Sequence, residues 1–369
     1  MRVTLVQAHP STAPSMRRIA QALQRYLPLP TSLVYVSLRP LARPRCRLPE
    51  SLMHTWYALY TRRWLQRLAA RLPPAEVYHL VDHSESFLLP FLRARQKVVS
   101  CHDLMPLVEN RLYRNRFSRW WGGYLYQLTI SDLVQADGVI ASSHATAQEL
   151  LRRFDLPSAK VKVVYLGVDA EFYIPLPETE RRRCREAMGF HAEELVVLHV
   201  GSNAPYKNVE TVLRVVAILH DGGHRVRWVK AGEPLAAPLR RQVRQLGIAQ
   251  CVQEEPHVDD PGLRLLYQTC DVLLFPSWRE GFGLPVLEAL ACGTPAVIAD
   301  TPALHEWAGE VCLSAPPQAV EALAEKVLQS VEYSYNPAYR ERLREFALQF
   351  DWRWTAERIA RAYDEWRTP

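Results

Sequence analysis

Glycine is missing from the first 121 residues; all fifteen glycines of this 369-residue chain lie at or after Gly122. Loops that press bare backbone against a phosphate favour glycine, so such loops are expected only in the remainder of the chain. There is no Gly-x-Gly-x-x-Gly fingerprint and no Walker lysine pattern, which disfavours a dehydrogenase or a P-loop enzyme. No stretch approaches the about eighteen uninterrupted apolar residues of a membrane span. Pro10 breaks the first apolar run too early for the core of a signal peptide. The seven cysteines are odd in number, scattered, and lack Cys-x-x-Cys or Cys/His metal spacing. A reducing cytoplasm is therefore the expected location.

What is present is an ordinary globular composition, 48% hydrophobic and 23% charged, at a length suited to two domains. Charge divides unevenly. Residues 1–170 carry 23 Lys+Arg against 11 Asp+Glu, whereas the rest carry 22 against 28. The overall +6 thus joins a basic half to an acidic one. A basic half suits nucleic acid, an anionic membrane or a phosphorylated substrate, and charge alone does not choose among them.

Short β-branched runs alternate with amphipathic stretches of helical period, the pattern of parallel α/β layers. Strands are predicted over Arg2 to Gln7, Ser32 to Val36, Val77 to Val81, Val98 to Ser100, Gly138 to Ala141 and Val161 to Tyr165. A second series is predicted at Leu195 to Val200, Val226 to Ala231, Asp271 to Phe275, Ala296 to Ala299 and Val311 to Ser314. Pro175, Pro177 and an Arg-Arg-Arg run separate the two series. The expected division is a domain over 1–170, a connection over 171–194, a second domain over 195–349, and a helix over 350–369 that returns to the first. Asn208 is expected to cap one helix and Pro285 to sit in the opening turn of another. Two open sheets place ligands at the carboxyl ends of their strands, so the site is expected between the halves.

The sharpest segment runs from Pro276 to Glu288 and holds Glu280-Gly-Phe-Gly-Leu-Pro-Val-Leu-Glu288. Gly281 and Gly283 allow close approach of backbone to ligand, and the amides opening the next helix suit an anion. Glu280 and Glu288 are placed to accept hydrogen bonds from hydroxyls of a bound molecule. A second loop, His199-Val-Gly201-Ser202-Asn-Ala-Pro-Tyr-Lys207-Asn208, again joins a strand to a helix, and Lys207 is placed to reach a diphosphate.

These segments, with Gly293-Thr-Pro295 and Leu304-His-Glu306, resemble the retaining glycosyltransferases of family 4. In the first half His102-Asp103-Leu-Met-Pro106, Ser142-Ser143 and Val164-Tyr-Leu-Gly167-Val-Asp169 resemble the same family. The resemblance implies the α/β GT-B fold, two Rossmann-like domains of parallel sheet, and a UDP- or GDP-sugar as co-substrate without further cofactor. It implies that Ser202, Lys207, Phe282, Gly283 and Leu284 hold the donor diphosphate, that Glu288 accepts from the ribose, and that Glu280 and His102 act on the transferred sugar. It also implies retention of configuration without a metal. No Asp-x-Asp motif is present, in agreement.

Two departures stand out. Ser202 stands where many relatives have arginine, with Arg279 read either as a substitute cation or, in preference, as a solvent-facing side chain, and the turn after the first strand has two prolines and no glycine. The acceptor side, with Ser15, Met16 and Asp103, is therefore the least transferable part. The expected acceptor is a glycan, a lipid-linked sugar or a small molecule. The basic-aromatic stretches Trp56 to Arg67 and Arg111 to Trp121 read either as amphipathic helices packed inward or as contacts with an anionic membrane at its inner face. No nucleic-acid motif accompanies the charge. A non-catalytic glycosyltransferase-like subunit is the alternative.

Overall fold

Among the residues that the computed structural model describes, 1–8, 14–36, 62–108, 123–124, 126–128 and 130–367, apolar runs pair into two sheets of six parallel strands. The first sheet contains β1 (Val3–Ala8), β2 (Thr31–Val36), β3 (Val77–Leu80), β4 (Gln96–Cys101), β5 (Gly138–Ala141) and β6 (Val161–Val163) in the order β2-β1-β3-β4-β5-β6. The second contains β7 (Leu195–Gly201), β8 (Val226–Gly232), β9 (Val252–Glu255), β10 (Val272–Phe275), β11 (Ala296–Ala299) and β12 (Leu313–Ala315) in the order β12-β11-β10-β7-β8-β9. Strands such as Val272–Phe275 and Ala296–Ala299 are buried throughout, which explains their continuous apolar runs.

The chain divides into one unit of Met1–Gly167 with Trp352–Pro369 and another of Val168–Asp351. Each has its own core. Val6, Leu80, Val99 and Val139 centre the first, and Val197, Trp228, Leu274 and Val297 the second. In the second, the helix Val209–Asp221 buries Val212, Leu213, Val216 and Leu219 along one face.

The segment 171–194, expected as a connection, is instead part of the second unit. Its helix Glu178–Ala187 buries Arg181 and Arg185, whose guanidinium groups both meet the fully buried carboxylate of Asp271, at 3.0 and 2.9 Å. The Arg-rich run that reads as solvated linker is thus half internal, because two arginines three to four residues apart share a helix face. The one strand that the sequence does not announce, β9, is an edge strand of sequence Val-Gln-Glu-Glu with every residue half-buried.

The helix Trp352–Glu365 belongs to the first unit. Its Tyr363 hydroxyl lies 2.6 Å from His79 Nδ1, Thr355 donates to the Tyr165 carbonyl, and the Trp366 ring covers Gly138, where a Cβ would stand 2.1 Å from the indole. His79 is fully buried, its Nε2 is 2.8 Å from the Ser100 hydroxyl, and burial together with His102 pushes its pKa down to about 3. An unfolded histidine titrates near 6.5, so the folded first unit binds fewer protons below that pH. His79 therefore contributes stability that is complete above about pH 6.5 and is lost at up to ~1.4 kcal/mol per unit as pH falls. Urea unfolding of the first unit is expected to lose about 2 kcal/mol from this group between pH 6.5 and 5, and a His79→Phe variant to show a flatter profile. Equal slopes in the two proteins would refute the assignment.

Candidate functional site

In the second unit the strand order reverses between β7 and β10, the point at which open sheets of this kind bind ligands at the carboxyl ends of their strands. The β7 loop makes a single turn, Pro205–Lys207, and then Asn208 takes a left-handed conformation at φ +57°. Asn208 occupies the cap position of the next helix but makes no side-chain cap bond. Instead its amide donates to the carbonyls of Pro276 and Pro317, at 2.9 and 2.8 Å, where the sequence suggests an ordinary cap. Trp278 N also donates to the Tyr206 carbonyl at 2.8 Å. The lysine loop and the glutamate loop are thus one bonded assembly.

That assembly places Lys207 Nζ 2.7 Å from Glu280 Oε1 and 4.9 Å from the centre of the Phe275 ring. Both side chains are largely sheltered, 13% and 9% exposed. An ion pair so shielded holds a cation and a hydrogen-bond acceptor together at one point of the loop assembly.

Gly283 has φ +96°, and a Cβ there would lie 2.5 Å from Leu304 Cδ2, so any other residue is strained in this turn and forces Leu304 to shift. Phe282 stacks on Trp307 at 4.8 Å, and the indole N–H donates to the Phe282 carbonyl at 2.9 Å. The loop is therefore fixed from behind. The helix Leu284–Ala291 follows with Pro285 in its first turn, and the amides of Phe282 to Leu284 precede its first bond, from Val286 N to the Gly283 carbonyl. Glu288 sits inside, 2% exposed, accepting from the Tyr267 hydroxyl at 2.8 Å. The structure thus brings Lys207, Glu280, Phe282, Gly283 and Leu284 to adjoining loops and sets Glu288 deeper, braced by a tyrosine.

Ser202 uses its hydroxyl locally, accepting from Ala204 N at 3.3 Å, and Arg279 is exposed. A different cation stands nearby. Lys230 is buried on β8, and its Nζ donates to the carbonyls of Gly201 at 2.5 Å and Glu233 at 3.0 Å. Burial pushes its pKa down to about 8, against the opposing pull of Glu233 and Glu254. Its neighbour across the strands, His199, donates from Nδ1 to the Leu274 carbonyl at 3.1 Å, and burial followed by the Lys230 charge pushes its pKa down to about 3. Sequence reading passes over both. The available signal was a lysine two residues after Trp228, on the apolar face of a strand.

In the first unit the order reverses between β1 and β3. His102 follows β4, and its Nε2 donates to the Val81 carbonyl at the end of β3, at 2.8 Å. Burial lowers its pKa and so favours the neutral ring. Nδ1 is then a buried lone pair with no partner among the described residues, a ready acceptor for a hydroxyl. Ser142 Oγ supports the His102 carbonyl at 2.7 Å, and Ser143 caps the helix His144–Arg153 through Thr146 N. Asp103 accepts from Met105 N at 2.9 Å, a local turn contact. Ser15 and Met16 lie in the first turn of the helix Pro14–Tyr26 and are half-buried. The stretch Arg111 to Trp121 and the residues Trp56 to Thr61 lie outside the described residues. No helix among the described residues is long and apolar enough to cross a membrane, and no cluster of three metal-ligating side chains occurs among them.

Residues 4–172 match the family model "Glycosyltransferase Family 4" and residues 180–350 match "Glycosyl transferases group 1". This chain is built from two glycosyltransferase domains. It is 32% identical over 246 residues to the D-inositol 3-phosphate glycosyltransferase of Thermobispora bispora, a match covering 62% of this chain and 56% of the relative. It is 36% identical over 174 residues to D-inositol 3-phosphate glycosyltransferase 2 of Catenulispora acidiphila, covering 44% of this chain and 40% of that one. The chain therefore spans about half the length of these relatives. The crystal structure of Anabaena Alr3699/HepE in complex with UDP-glucose superposes with a TM-score of 0.75 at 17% identity over 99% of both chains. The glycosyltransferase domains thus have the GT-B fold, and the group 1 domain carries the Lys207–Glu280 pair together with the Gly283 turn.

Proposed function

We propose that the chain is a retaining, metal-independent hexosyltransferase that moves a sugar from a UDP- or GDP-sugar to a glycan, lipid-linked or small-molecule acceptor in the cytoplasm. The observation that carries this reading is the sheltered Lys207–Glu280 pair beside the Phe282–Leu284 amides. One side chain and three amides suit a diphosphate, and the carboxylate suits the hydroxyls of the sugar joined to it. A fixed cation with fixed amides stabilises the charge that develops as the nucleotide diphosphate departs. Glu288, held by Tyr267, is assigned to the ribose, and neutral His102 accepts from a hydroxyl through Nδ1. UDP is favoured over GDP by the UDP-glucose complex of the structural relative. The relatives' name adds a phosphorylated polyol to the acceptors, which suits the basic first half.

Incubation of the purified protein with UDP- and GDP-hexoses, acceptor and EDTA tests the reading, with product configuration assigned by NMR. Activity in EDTA with retention is expected. Strict dependence on a divalent ion, or an inverted product, refutes the mechanism. Nucleotide binding without turnover against any acceptor favours a non-catalytic subunit, a reading prompted by Ser202 and the glycine-free first loop.

A further inference from the structure

Three hydrogen bonds tie the end of β7 and its turn to β8 and its turn, and a fourth, from Lys230 to Glu233, closes the β8 turn itself. Lys230 Nζ holds the carbonyls of Gly201 and Glu233, Asn203 N donates to Glu233 Oε2 at 2.8 Å, and Asn203 Nδ2 donates to the Pro234 carbonyl at 2.6 Å. The backbones meet so closely that a Cβ on Gly232, at φ +102°, would stand 2.9 Å from the Gly201 oxygen. Lys230 is the one side chain of this brace that is both buried and charged, 1% exposed, and Gly201 begins the loop that ends in Lys207.

We propose that Lys230 is a positioning residue for the donor diphosphate, fixing the Gly201–Lys207 loop through the Gly201 carbonyl and supplying to it the second positive charge that Ser202 does not provide. This rests on the glycosyltransferase reading. The ammonium does not touch the donor; it acts through the Gly201 carbonyl and through space. A buried charge is screened far less than an exposed one such as Arg279, so its field at the loop persists without contact. The groups facing it are His199 across β7, Glu254 across β9, Glu233 in the following turn, Lys207 at the end of the loop, and Arg240, which pairs with Glu254 at 3.0 Å. Burial pushes the Lys230 ammonium itself down to about 8, so its charge fades as pH rises from 7 to 9.5.

The test uses the full chain. UDP affinity is measured by titration calorimetry at pH 7 to 9.5, together with donor KM and kcat, for wild type and Lys230→Met. Wild type is expected to lose UDP affinity as pH passes about 8. At pH 7 the Met variant is expected to raise donor KM roughly tenfold with kcat changed by less than about threefold, and to lose the alkaline step. A flat wild-type profile overturns the inference, as does a folded Met variant that keeps the wild-type step or has donor KM within twofold of wild type. The wild-type profile decides alone if the variant does not fold. Wild type that binds no nucleotide at any pH removes the glycosyltransferase reading and this inference with it, whereas wild type that binds and turns over with no alkaline step removes only the role of Lys230.

Discussion

A Lys207→Ala variant is expected to transfer sugar roughly 10²- to 10³-fold more slowly than wild type, the loss typical of removing one preorganised donor from a developing anion. The Lys207 ammonium is held by Glu280 at 2.7 Å, against the ring of Phe275 and on a loop bonded to the glutamate loop through Trp278 and Asn208. Its position is therefore set before any donor arrives, and little reorganisation is needed when a diphosphate takes the place of the carboxylate. A purely structural partner of Glu280 would behave otherwise, since its loss would lower the melting temperature and leave kcat of the folded fraction intact. Single-turnover rates and UDP calorimetry on the same preparation separate the two. Transfer within threefold of wild type, or unchanged UDP affinity, counts against the assignment. Glu280→Gln serves as the control, expected to slow transfer while leaving UDP affinity within a fewfold, because its carboxylate is assigned to the sugar.

Asp271→Ala is expected to destabilise the second unit by about 3–5 kcal/mol. Asp271 is 0% exposed and accepts from Arg181, from Arg185 and from Val196 N at 2.8 Å, so its removal leaves the buried Arg185 without its carboxylate and Arg181 with only the exposed Glu178 at 3.3 Å. The cost is heightened by Arg340 nearby, where burial and the charges of Arg181 and Arg344 already push the pKa down to about 10. Chemical denaturation of the second unit measures it. Asp271→Asn, which keeps an acceptor for Val196 N but loses the charge, is expected to fall between wild type and the alanine variant. A loss below about 1 kcal/mol for alanine would mean that the arginines find other partners.

The sheets were legible because buried parallel strands must be almost wholly apolar, and Val272–Phe275 or Ala296–Ala299 admit no other reading. β9 escaped because an edge strand carries polar residues on its half-solvated side, and Val-Gln-Glu-Glu has no apolar period. The glutamate loop and Lys207 were legible because glycine spacing and charge type are local properties. Lys230 and His199 were not, since each depends on which strand lies beside it: β7 and β8 are consecutive neighbours, yet the sequence does not say that Lys230 will be buried against the Gly201 carbonyl. Arg181 and Arg185 were misplaced for the same reason. Their partner lies 90 and 86 residues away, and nothing near residue 181 announces it.

The helix Trp352–Glu365 bears on the order in which a ribosome can deliver this protein. The first unit takes its Tyr363 against His79, its Thr355 against Tyr165 and its Trp366 against Gly138 from a segment that follows the second unit in sequence, across separations of up to 284 residues. Until that segment emerges, His79 lacks its Tyr363 partner and Gly138 the Trp366 ring. The second unit, Val168–Asp351, is contiguous and is complete in sequence sooner. At roughly 5–20 residues per second, synthesis of the intervening 184 residues leaves the nascent N-terminal sheet unfinished for about ten to forty seconds, an interval in which chaperones have reason to hold it.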